Sequence, residues 1–195
     1  TLAYYNGPSA TVVSYKGVLT GDYRIELGAS TSGPLPSYLT SGVQPGICID
    51  IQDLSTSGWQ DYTVLALKDA PDAWAGPMGP TRAAYVQQLL DRYWGKATTN
   101  AGALQIAVWE LVDEGRHAGS VPALGTFNAE SGDFSASGSL AALANTYLGG
   151  LTGLWTAKYD YTALSNTVYQ DFVVRAVPVP GAVLLGMLGL GYAGV

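Results

Sequence analysis

The chain has 195 residues, a formal net charge of −6, 48% hydrophobic and 12% charged residues, 25 glycines, one Cys and one His. That length suits one domain with its own core, and sparse charge with plentiful aromatics excludes intrinsic disorder. No basic stripe is present to displace phosphate counterions, so nucleic acid is excluded as a partner; one Cys excludes an internal disulfide framework and one His excludes a His-based metal cluster.

The N-terminal third alternates as β structure does. Val12-Val13-Ser14-Tyr15 leads to Val18-Leu19, and after a Gly21-Asp22 turn Tyr23, Ile25 and Leu27 share one face, with Arg24 and Glu26 on the other. Residues 30–45 are rich in Ser, Thr, Gly and Pro and read as a long surface loop whose hydroxyls are candidate sites for O-linked sugars. Two strands are expected next, Ile47–Gln52 and Tyr62–Leu67. The middle is helical: one helix from about Thr81 to Gly95, and a second capped by Thr98 or Thr99 and stopped at Gly115. A third runs from Ser139 to Leu148, before strands at Trp155–Ala163 and Thr167–Val177. Strands, a helical insert and strands again predict an α+β domain, with a β-sandwich or barrel holding the insert, over residues 1–176.

Two stretches carry possible chemistry. In Gly46-Ile47-Cys48-Ile49-Asp50, strand parity puts Cys48 opposite the isoleucines, an unexpected place for a thiol that only fills a core. In Ala103-Leu104-Gln105-Ile106-Ala107-Val108-Trp109-Glu110, Gln105 is an amide among apolar neighbours and needs a specific partner. These stretches resemble the thioester domains of bacterial surface adhesins, with Cys48 matching the thiol and Gln105 the amide; Ile47 and Leu104 depart from the family's usual aromatic and Thr. The resemblance implies attack of the thiolate on the amide carbon, loss of ammonia, and a single-use bond that captures an amine. The alternative reading is a reduced buried Cys48, with Gln105 bonded to a strand backbone.

The last segment, residues 177–195, holds Pro178 and Pro180 before an uncharged run containing Leu184, Leu185, Leu188, Leu190 and Tyr192. As a helix the run of 14 residues would span about 21 Å, short of a bilayer's hydrocarbon core. This tail resembles a PEP-CTERM sorting signal, which implies export to the cell surface or extracellular matrix and membrane contact only during sorting; Val179 replaces the acidic residue and no basic cluster follows. Read as a strand, the segment suits donation to a neighbour's sheet.

The leading expectation is therefore a non-enzymatic subunit of an extracellular fibre or matrix, a homopolymer joined through its tail. The alternative is an adhesin whose Cys48–Gln105 thioester captures surface amines, with glycans as a further class of partner. No cofactor or metal is expected: Gly189-Leu190-Gly191-Tyr192-Ala193-Gly194 spells a nucleotide loop but no helix follows it. His117 has no triad partner in the sequence, and Asp50, Asp53, Asp61, Asp69 and Asp72 lack calcium-loop spacing. Trp59, Trp74 and Tyr62 are aromatic enough to stack on sugars, with core packing the default.

Overall fold

The computed structural model describes residues 2–8, 14–15, 18–19, 23–28, 35–51, 59–71, 76–116 and 118–176, with side chains from residue 23 onward. Nine strands are described: β1 Leu2–Pro8, β2 Ser14–Tyr15, β3 Val18–Leu19, β4 Tyr23–Gly28, β5 Gly42–Cys48, β6 Trp59–Asp61, β7 Thr63–Ala66, β8 Tyr161–Ser165 and β9 Phe172–Arg175. Three α-helices lie between β7 and β8: α1 Gly79–Tyr93, α2 Ala101–Asp113 and α3 Ser139–Gly149.

Seven strands form one antiparallel sheet in the order β6-β1-β4-β5-β9-β8-β7, and β2 pairs with β3 in a separate two-stranded sheet. β6 and β7 stand at opposite edges, yet Tyr62 alone separates them in the chain. A flat sheet would put those edges about 29 Å apart at about 4.8 Å per strand, whereas two Cα–Cα steps reach about 7.6 Å. The sheet is therefore rolled until its edges meet at Tyr62. Tyr23, Ile25 and Leu27 line the inside as their alternation predicts, with Arg24 exposed. Phe172 packs between the rings of Tyr23 and Tyr62, at centroid distances of 5.4 and 6.2 Å.

Several expected boundaries shift. The loop read over 30–45 loses its last four residues to β5, because Gly42–Pro45 pair with β4 despite their loop-like composition. Pro45 is tolerated because the ladder to β9 begins only at Gly46. β5 stops at Cys48 rather than Gln52, and the C-terminal strands are shorter than read. Thr98 and Thr99 do not cap α2; Asn100 does, its Oδ1 accepting from the Ala103 N–H at 3.1 Å.

α2 is buried on every side from Gly102 to Asp113, instead of presenting one apolar face. It is the hub of the helical insert, packed against α1, α3 and β5. Arg82 on α1 fixes its C-terminal end: Nη1 donates to the Leu111 carbonyl at 2.8 Å, and Nη2 to the Glu114 and Ser120 carbonyls at 2.5 Å each. A guanidinium suits this place, because the last carbonyls of a helix have no partner within it and carry partial negative charge.

Candidate functional site: the Cys48–Gln105 pair

Cys48 is the last residue of β5 and is fully buried. On one side β5 pairs with β9 as far as Cys48↔Phe172, and the ladder continues through Ile49 N–H to the Asp171 carbonyl at 2.9 Å. On the other side the β4 pairing ends at Tyr23↔Gly46, and among the described residues no strand bonds the Cys48 backbone there. Gln105, from the first turns of α2, takes that place. Its Oε1 accepts from Cys48 N–H at 3.0 Å, and its Nε2 donates to the Cys48 carbonyl at 2.6 Å. The carboxamide does what one residue of a neighbouring strand would do, so the two stretches separated by 57 positions meet in the geometry of the alternative reading, a buried thiol with Gln105 bonded to the strand backbone.

The thiol donates to the Asp50 carbonyl, with Sγ–O at 2.9 Å. Burial pushes the Cys48 thiol well up from its ordinary value, and the negative charges of Asp50 and Asp171 push the same way. The Asp50 backbone and then the Trp109 indole act in the opposite sense, although the buried Trp109 Nε1 sits outside hydrogen-bonding geometry. Cys48 is thus held as a neutral, water-excluded thiol. Burial is the largest of these causes, with Asp50 next. Parity proves a poor guide to role, since Ile47, Cys48, Ile49 and Asp50 are all buried.

Sequence reasoning missed the far wall of the site. Asp171, fully buried, accepts from Ser165 Oγ and from Asn166 N–H, both at 2.7 Å. Tyr62 O–H donates to the Gln170 carbonyl at 3.2 Å, and burial followed by the Asp171 charge raises its phenol pKa. The stretch Thr167–Val177 read as one strand, which concealed the turn before Phe172 that brings Asp171 inward.

The other candidates do not converge. Asp69 is in an exposed pair with Lys68 at 2.7 Å, and no group of three metal-ligating side chains occurs among the described residues. Tyr62 is buried in the aromatic cluster while Trp59 is half exposed, so the two do not form one sugar platform. Asp53, Asp72, Trp74, His117 and the tail positions Pro178, Pro180, Leu184, Leu185, Leu188, Leu190 and Tyr192 lie outside the described residues.

A rolled antiparallel sheet beside a helical insert, with a buried strand-end Cys bound to a helix Gln, defines the architecture. Its fold is similar to that of known structures. An N-terminal thioester domain of a Clostridium perfringens surface protein, as a Cys-to-Ala mutant, aligns over 90% of this chain and 98% of its own, at 10% identity and TM-score 0.50. The same domain without that mutation aligns over 88% and 95%, at 10% identity and TM-score 0.47. No family model and no curated protein matches the sequence. The fold is a thioester-domain-like α+β fold.

Proposed function

We propose that this domain belongs to an exported surface protein and forms an internal thioester between Cys48 Sγ and Gln105 Cδ, which captures an amine once and does not turn over. The observation that carries this is the double hydrogen bond between the Gln105 carboxamide and the Cys48 backbone, beside a buried thiol. Cys48 N–H points at the oxygen on which negative charge develops when sulfur attacks, as an oxyanion donor does. The Cys48 carbonyl orients the amide nitrogen that must leave. The thiol loses its proton, sulfur bonds to the amide carbon, the C–N bond breaks, and the nitrogen departs as ammonia with that proton. An incoming amine then forms an amide with the Gln105 acyl carbon and returns the thiol to Cys48.

Intact mass spectrometry tests the reading. A thioester lowers the mass by about 17 Da, one ammonia, and methylamine then adds about 31 Da. Full mass, together with alkylation of Cys48 in the native protein, overturns it. The fibre-subunit expectation depends on residues 182–195, and no described residue bears on it. Loss of polymers on deleting that segment would support it, and unchanged polymers would remove it. No described helix is long and apolar enough to cross a membrane.

A further inference from the structure

A second concave site lies near the end of α1, lined by Trp94, Tyr159, Arg175, Ala176, Gln44 and Pro45, with a volume of about 380 Å³. It sits beside β5, three and four residues before Cys48, and shares no lining residue with the thiol site. Its walls are mostly apolar and aromatic, and its cation has an unusual setting. Arg175 Cζ lies 4.0 Å from the Tyr159 ring centroid, 5.5 Å from Trp94 and 5.9 Å from Tyr161. Three rings hold the guanidinium, yet it makes no ion pair among the described residues, where the pairs are Lys68–Asp69 and Arg116–Asp113.

The nearby carboxylate Asp91 is already used: Oδ1 accepts from Tyr161 O–H at 3.1 Å and Oδ2 from Lys158 N–H at 2.8 Å. Gln44 adds an unmet donor, because its Nε2 is buried without an acceptor. A small rotation of that amide toward a bound oxygen would gain a hydrogen bond that the free protein lacks. Charge around the site is mixed but mostly basic. Arg24 is the exposed cross-strand partner of Pro45, and exposed Lys96 and Lys158 adjoin Gly95 and Tyr159 in the chain. Asp160 is the exposed acidic neighbour. Basic groups therefore outnumber acidic ones here, in a chain whose net charge is −6.

We propose that this pocket binds an amphipathic carboxylate, a small aryl or alkyl acid whose carboxylate pairs with Arg175 and whose apolar body rests on Trp94 and Tyr159. A cation ordered by rings, in a cavity with few other polar groups, is complementary to one anionic head on an apolar body. A polyhydroxylated sugar fits less well, since most of its hydroxyls would be desolvated without partners.

Calorimetry on the full chain with 3-phenylpropionate tests this, with 3-phenylpropionamide and glucuronate as comparison ligands. Saturable binding of the acid, at least about tenfold tighter than the amide and than glucuronate, is the expected result. Arg175→Gln should weaken the acid by about tenfold or more while leaving the amide unchanged. Equal binding of acid and amide overturns the proposal, as does preference for glucuronate or absence of binding at about 10 mM acid. The acid–amide comparison needs no mutation, so a misfolded variant cannot obscure it. Cys48→Ala should bind the acid as the parent does, which separates this site from the thioester reading.

Discussion

Gln105 satisfies two backbone groups of Cys48 that no described strand reaches, whether or not the side chain also reacts. Its removal leaves a buried N–H and a buried C=O unpaired. In a Cys48→Ala background, where no thioester can form, Gln105→Ala should therefore cost about 2–4 kcal/mol in urea unfolding, at about 1–2 per orphaned group. Glu110, on the same helix, is fully buried; Oε1 accepts from Asn128 N–H at 2.8 Å and Oε2 has no partner. Burial pushes its carboxyl up to about 7 from 4.5, with Glu114 and Asp113 adding to the rise, while the Asn128 N–H and Arg82 oppose it. The folded state keeps this proton longer than the unfolded chain, so its stabilising contribution is full below about 4.5 and is lost as pH rises through about 7. Glu110→Gln should thus gain in urea midpoint relative to the parent between pH 5 and pH 8; a pH-independent difference would contradict this. At this scale the sequence exposed Cys48 and Gln105 well, because a lone thiol and an amide among aliphatics are chemically conspicuous. Tyr62 and Asp171 were not visible, since nothing in their neighbours signals that the chain turns them toward Cys48.

Between elements, the informative contacts are side chains from one element satisfying the end of another. Arg82 joins α1 to the last carbonyls of α2, and burial followed by the Arg116 charge lowers its pKa. Arg82→Met keeps much of the stem but orphans three carbonyls, and should cost about 2–4 kcal/mol in urea unfolding. Asn100→Ala removes the α2 cap and should cost about 1 kcal/mol by the same measurement. The helices were readable to within a few residues because their stops are Gly95, Gly115 and Gly149-Gly150. The strands were less so, for a physical reason. β5 begins in residues whose composition is that of a loop, and is made a strand by its partner β4. Within β5, Gly46 belongs to the packing: a Cβ there would collide with Ile25 Cδ1, inside the rolled sheet.

Across the whole molecule, the order of strands, helical insert and strands anticipated the α+β class, but closure was not legible. It depends on β6, a strand just before Tyr62 that was not expected, and on which edges β6 and β7 join. The Cys48–Gln105 contact crosses this architecture from the end of a sheet strand to the central helix, over 57 positions of sequence. On the proposed reading, a bond there makes the polypeptide a closed ring through the core. By the entropy of loop closure in the unfolded chain, a ring of that size is worth about 4 kcal/mol. Capture of an amine opens the ring as it makes the new attachment. The engaged domain would then melt below the unspent one, so its thermal midpoint before and after methylamine would record whether its single reaction had been used.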